Sequence, residues 1–351
     1  MTRMHKLLVS TTLTVLCSIA AQGEPERRPS TSHLPPRKVI VGTSMEAFWV
    51  DYPGLQQRLQ QLGALIDSMA AESLKRYGRR LDLAVLPEVA VNGEAGDDAF
   101  AHSFPLEGAV KDSFARKARE HQCYIVAPMY LLEGLQQKQV SNAGVLFDRQ
   151  GKVAGIYRKL HPAVSDGGSM EGGITPGKAA PVFDCDFGKL GIQICFDIYF
   201  DYGWRELARK GADLVVWPSQ TPQTAQPAFR ALQHRYYIVS STWRNNASIF
   251  EPTGRITSQL KPPGQILVEE VDLSYAILPW SSKLQKGDSL RKKYGRKVGF
   301  RYYEDEDCGL FWSNDPRVTI RQMIEPLGLV EMEDHMRQVR GFFHKAGVPG
   351  Q

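Results

Sequence analysis

Cysteine is scarce and scattered in this chain, with five residues in 351, at Cys17, Cys123, Cys185, Cys195 and Cys308. No Cys-x-x-Cys pair occurs, so paired metal-ligand spacing and a redox dithiol of that kind are both excluded. Apolar runs long enough to span a bilayer are missing too, since nothing approaches about 18 consecutive apolar residues. There is no large excess of charge of one sign. The formal charge is +5, and setting aside Arg3 and Lys6 of the leader described below leaves +3, too little to draw in nucleic acid or another polyanion. No internal repeat is visible in the sequence.

What remains is ordinary globular material, 42% hydrophobic and 23% charged, enough for one large domain. A short basic head, Met1 to Lys6, leads into an apolar run from Leu7 to Ala21 with small residues at Ser18, Ala20, Ala21 and Gly23. This predicts a cleavable secretory signal peptide over residues 1–23 and export to the periplasm or beyond. The proline-rich stretch 24–38 is expected to be a polar tether. An oxidising compartment permits disulfides among Cys123, Cys185 and Cys308 and makes a free catalytic thiol less comfortable.

From Val39 to Asp272 short apolar strands alternate with helix-period segments. A strand at Val39–Thr43 precedes helical spacing at Leu55, Leu59, Leu62, Ile66, Met69 and Leu74, closed by Gly78. A second helix is expected over Val110–Glu120, and Val182–Phe187 and Leu190–Ile194 read as a hairpin turning at Gly188-Lys189. The loop from His161 to Gly177 is long and glycine-rich, a form uncommon between strands unless it has a task. Alternation of this kind predicts an α/β layered fold with mixed sheets over residues 39–272. Residues 273–351 read as an extension packing on the core or on a second subunit, with a helix over Met323–His344.

Three apolar strands end in residues that such strands rarely carry. Leu83 to Leu86 runs into Pro87-Glu88, Gly155 to Tyr157 into Arg158-Lys159, and Leu190 to Ile194 into Cys195. A carboxylate and an ammonium at buried strand ends are costly unless they meet a partner, and α/β folds place reactive groups at the carboxyl ends of strands. Glu88, Lys159 and Cys195 account for one another if they converge.

Taken in order, Leu86-Pro87-Glu88, Tyr157-Arg158-Lys159-Leu160-His161-Pro162 and Gly191-Ile192-Gln193-Ile194-Cys195-Phe196-Asp197 resemble the motifs of the nitrilase superfamily of carbon–nitrogen hydrolases, with support from Asp213 to Ser219 and Pro252-Thr253-Gly254. The resemblance implies a four-layer α-β-β-α sandwich with two mixed β-sheets and a Glu-Lys-Cys triad. In that triad Cys195 is the nucleophile, Glu88 the general base and Lys159 the cation at the oxyanion. It implies a further glutamate, Glu171, in the loop Glu171-Gly172-Gly173-Ile174-Thr175-Pro176-Gly177. The backbone N–H of Phe196 is the natural second oxyanion donor. His161 and Trp217 are expected near the pocket, and Asp197 is expected to orient the turn after the nucleophile.

The chain departs from the family pattern at Gln233-His234-Arg235, where relatives often carry a glutamate-asparagine pair. Phe196-Asp197 after the cysteine is closer to the amidase and carbamoylase style than to nitrilases proper. The expectation is therefore a thiol hydrolase of a small amide or N-carbamoyl compound, releasing ammonia or an amine, without metal or cofactor, as a homodimer or higher homo-oligomer. A catalytically silent binding module, acyl transfer to an amine, and nitrile hydrolysis stay open as alternatives.

Overall fold

Alternation along the core strands gives each of them two apolar faces, and this sets the architecture. The computed structural model describes residues 28–48, 52–94, 96 and 98–348; the leader expected over 1–23 lies outside the described residues. In chain order it has β1 (Lys38–Ser44), α1 (Leu55–Tyr77), β2 (Leu83–Val85), α2 (Ala109–His121), β3 (Tyr124–Gly134), β4 (Gln139–Phe147), β5 (Val153–Arg158), β6 (Val182–Cys185) and β7 (Gly188–Ile192). A 3-10 turn (Cys195–Tyr199) follows, then α3 (Asp201–Arg209), β8 (Leu214–Ser219), α4 (Ala225–His234), β9 (Tyr237–Thr242), β10 (Ala247–Phe250), β11 (Ile256–Leu260) and β12 (Ile266–Asp272).

One sheet has the order β12-β1-β2-β3-β4-β5 and the other β11-β10-β9-β8-β7-β6. Each is built on the same plan, three parallel strands (β1, β2, β3 and β7, β8, β9) with antiparallel neighbours on both sides. Val39, Val41, Leu83, Val85 and Val126 of the first sheet meet Leu190, Ile192, Leu214, Val216 and Val239 of the second. On the opposite face of the first sheet, Ile40, Ala84 and Ile125 pack under Leu62, Ile66 and Met69 of α1 and Phe114 of α2. Val215, Trp217 and Ile238 do the same under Trp204 and Leu207 of α3 and Ala231 of α4. The result is the four-layer α-β-β-α sandwich. Parallel strands covered on both faces read as continuous apolar runs, as Leu214-Val215-Val216-Trp217 does.

Several local expectations shift. The β6–β7 hairpin pairs Cys185 with Gly188, so its turn lies at Asp186-Phe187 and not at Gly188-Lys189. The single C-terminal helix expected over Met323–His344 is two, α6 (Ile320–Ile324) and α7 (Met332–Lys345), once β13 (Tyr275–Pro279), α5 (Asp288–Tyr294), β14 (Val298–Tyr303) and β15 (Cys308–Ser313) have been laid down. The break comes at a 3-10 turn containing Pro326, which cannot donate a helical hydrogen bond, followed by Gly328 at φ 62°. Strands β13-β15-β14 form a third sheet with a core of its own that includes Leu278, Leu290, Phe311, Ile320 and Met323.

The proline-rich segment is not a free tether where it is described. Arg28 and Ser32 are buried; Arg28 pairs with Asp213 and donates to the Tyr275 hydroxyl at 2.8 Å, and Ser32 donates to Glu331. Composition flagged the prolines but not these long-range polar partners. Among the described residues Cys123, Cys185, Cys195 and Cys308 are all free thiols.

The sandwich closes tightly at one edge, where a Cβ added to Gly155 of β5 would stand 2.1 Å from a ring carbon of Phe183 on β6. Gly155→Ala is expected to lower stability by about 1–3 kcal/mol through overpacking; an unchanged urea midpoint would show that the sheets can separate there at no cost.

Candidate active site

All the strands that carry the predicted residues end on the same side. β2 and β3 are parallel, and β5 is antiparallel to β4, itself antiparallel to β3, so β2 and β5 point the same way. Met45, just past β1, bridges in parallel to Thr242 at the end of β9, which aligns the second sheet with the first. Glu88, Lys159, Cys195 and Ser219-Gln220 are therefore strand-end residues delivered to one rim.

At that rim Lys159 Nζ donates to Glu88 Oε1 at 2.8 Å and to Glu171 Oε1 at 2.6 Å. The backbone N–H of Gln220 donates to Glu88 Oε2 at 3.1 Å. Glu88 and Lys159 are essentially inaccessible to solvent, so their charges persist only because they are paired. Burial pulls the Lys159 ammonium down, but Glu88, Glu171 and Cys195 act against it and hold it well above the usual lysine range. For Glu171, burial pushes the carboxyl up, Lys159 opposes and Glu88 adds to the rise, leaving it at about 7.

Cys195 keeps some solvent exposure yet is crowded by protein. Burial pushes its thiol up to about 12, with Glu88 adding to the shift and Lys159, the Ser219 side chain and the Gln220 N–H opposing it. The balance of these influences favours the protonated thiol. A nucleophile in that state needs a base to take its proton as it attacks.

The backbone around these groups is strained. Cys195 (φ 40°), Glu171 (φ 45°) and Val89 (φ 47°), the residue after Glu88, all sit in the left-handed region, uncommon for any side chain and costly for a β-branched one. Such residues cluster where surrounding structure holds them. Here Asp197 does the holding: its carboxylate accepts from Tyr157 Oη (2.7 Å), the Ile194 N–H (2.9 Å), the His161 N–H (2.9 Å) and His161 Nδ1 (3.0 Å). It thus joins the nucleophile turn to the segment carrying Lys159. Trp243 Nε1 donates to the Glu88 carbonyl at 2.9 Å, bracing the strained Val89 from the second sheet.

The other expected residues fall into different places. His161 stacks on Phe200 at 4.1 Å between centroids, beside the Phe196 ring. Trp217, expected near the pocket, is fully buried in the layer under α3 and α4. Its indole donates to the Cys195 carbonyl at 3.0 Å, so it backs the nucleophile and offers no wall to a substrate. Sequence reasoning missed Asn142, which is fully buried against both glutamates, and the roles of Ser219 and Gln220. A polar residue immediately before the apolar run Ala143–Phe147 was the one available signal for Asn142. Among the described residues the grouping with metal-ligand character is Asp67, Glu120 and His121 on the outer helices. It is away from this rim, and Lys117 Nζ already pairs with both Asp67 oxygens at 2.6 and 2.7 Å.

Residues 50–278 match the carbon-nitrogen hydrolase family, and the chain belongs to that family: it is a carbon–nitrogen hydrolase. It is 32% identical over 184 residues to a nitrilase of Pyrococcus abyssi, a match covering 50% of this chain and 67% of that protein. It is 26% identical over 225 residues to omega-amidase NIT2 of Danio rerio, covering 56% and 79%. The crystal structure of Saccharomyces cerevisiae Nit3, a member of branch 10 of the nitrilase superfamily, superposes with a TM-score of 0.58 at 18% identity, over 74% of this chain and 95% of that one. At that identity the superposition establishes a shared fold.

A carboxyl whose folded-state value lies near 7, above its ordinary 4.5, contributes stability that is fully present below about 4.5 and lost as pH rises through about 7. Glu171→Gln should therefore flatten the pH dependence of the melting temperature across this window, which thermal scans from pH 4 to 8 on both proteins will measure.

Proposed function

We propose that this enzyme hydrolyses a small amide or N-carbamoyl compound through a thioester on Cys195. The observation that carries this reading is a cysteine on a strained turn at the same rim as a buried lysine that two carboxylates share. As the sulfur attacks the carbonyl carbon, its proton passes to Glu88 and the carbonyl electrons move onto oxygen. The Lys159 ammonium and the Phe196 N–H stabilise that oxyanion. The intermediate collapses with cleavage of the C–N bond, and Glu88 returns the proton to the leaving nitrogen, which departs as ammonia or an amine. Water then attacks the thioester with Glu88 again as base, releasing the acid and restoring the thiol. Glu171 positions the substrate and Lys159. Asp197 and His161 set the turn, and neither group transfers a proton in this scheme.

The preference for carbonyl substrates rests on Phe196-Asp197 after the cysteine and on the omega-amidase relative. Nitrile hydrolysis is the second reading, favoured by the relative named as a nitrilase. A panel of aliphatic amides, N-carbamoyl amino acids and nitriles scored for ammonia separates the two; turnover of nitriles alone would overturn the first. We also infer export by the leader over residues 1–23, and self-association through apolar side chains left exposed on α3, α4 and α7, among them Tyr202, Phe229, Leu232, Phe342 and Phe343, since large exposed apolar patches mark interaction sites. Light scattering that returns the monomer mass at micromolar concentration would refute the latter.

Glu88→Gln separates base catalysis from simple ionisation. Removing this negative charge makes the thiolate easier to form, yet kcat is expected to fall by about 10²–10⁴-fold because the proton acceptor is gone. Cys195→Ala should abolish turnover with the fold retained. Steady-state kinetics and circular dichroism on both variants check the pair, and unimpaired turnover in either would refute the mechanism.

A further inference from the structure

Two donors reach the same two oxygen atoms at the centre of the site. Lys159 Nζ donates to Glu88 Oε1 and Glu171 Oε1 at 2.8 and 2.6 Å, and Asn142 Nδ2 donates to the same pair at 2.9 and 3.2 Å. Acceptors and donors thus alternate around a closed ring. The two donors come from adjacent strands: Asn142 is on β4, and its carbonyl accepts the Lys159 backbone N–H at 2.8 Å. Asn142 is fully buried. Its Oδ1 and Glu171 Oε2 are both buried without a protein partner.

The charges explain why an amide is useful at this point. Two carboxylates facing one ammonium repel each other, and a second cation would compete with Lys159 for the oxyanion role. An Asn NH₂ has two N–H donors and no net charge, so it can bind both carboxylates without adding a second cation beside the sulfur. We propose that Asn142 is a positioning residue of the active site, the neutral second donor that holds Glu88 and Glu171 in register with Lys159 and with the thiol. This rests on the roles given above to Glu88 and Lys159.

Groups from each surrounding element bear on Glu171: Lys159 from β5, Glu88 beyond β2, Tyr130 from β3 and Asn142 from β4. The Asn142 hydrogen bond favours the ionised form of Glu171. Its removal should move the Glu171 titration upward from about 7, a displacement that a residue acting only in packing would not produce.

The test combines kinetics with a readout that needs no turnover. In Asn142→Ala, kcat is expected to fall by about 10²-fold, the loss typical of a misplaced reacting group, with KM changed less. The Glu171 carboxylate signal in a ¹³C NMR titration, assigned by its absence in Glu171→Gln, should shift to higher pH. In the wild-type protein the Asn142 side-chain NH₂ signal should itself titrate near pH 7 and cease to do so in Glu171→Gln, which decides the matter even if Asn142→Ala does not fold. An unchanged kcat and unshifted carboxylate in folded Asn142→Ala, or a wild-type amide signal indifferent to pH between 5 and 9, overturns the proposal. Because the NMR signals do not depend on substrate, loss of the hydrolase reading would be visible separately, as Cys195→Ala retaining activity.

Discussion

One ammonium, out of contact with water and shared by two carboxylates, ties this molecule's site together. Lys159 sits at the end of β5, Glu88 beyond β2 and Glu171 in the long loop that follows His161. Each of these charges alone would be expensive to bury. Together they form a closed set whose geometry can be met only when the strands and the loop are all in place, and Gln220 extends the same set to β8 of the second sheet. The cost of breaking any one link is high because it strands a buried charge. The same cost forces the loop to fold over the rim.

The nucleophile is controlled differently. Burial and the Glu88 charge push the Cys195 thiol up, toward its protonated form. Its precision comes from the backbone, where a left-handed turn is fixed by four hydrogen bonds to Asp197 and by Trp217 behind the carbonyl.

Glu88, Lys159 and Cys195 stood out in the sequence for a physical reason: each ends an apolar strand with a group that such a strand seldom carries. Asp197 was legible as a turn residue. Asn142 was not, because a polar residue beside an apolar run is unremarkable until its partners are known, and those lie 54 and 29 positions away. The place of Trp217 behind the Cys195 carbonyl was not legible, because an aromatic at a strand end can face either side of a sheet, and the alternation that decides the side also depends on which face the helices cover. The Pro-rich stretch was misjudged likewise, since the partners of Arg28 and Ser32 are distant in the chain.

Between Val39 and Asp272, local pattern by itself determined the alternation of strands and helices and the chemistry gathered at three strand ends, because hydrophobic period and out-of-place charges are properties of short segments. Tertiary structure alone decided which faces of two sheets meet, which doubled plan the strands follow despite the absence of any sequence repeat, and how Asn142, Ser219 and Gln220 join the glutamates and the thiol. Those outcomes depend on contacts between residues far apart in the chain, and the period of a single segment contains no record of its distant partner.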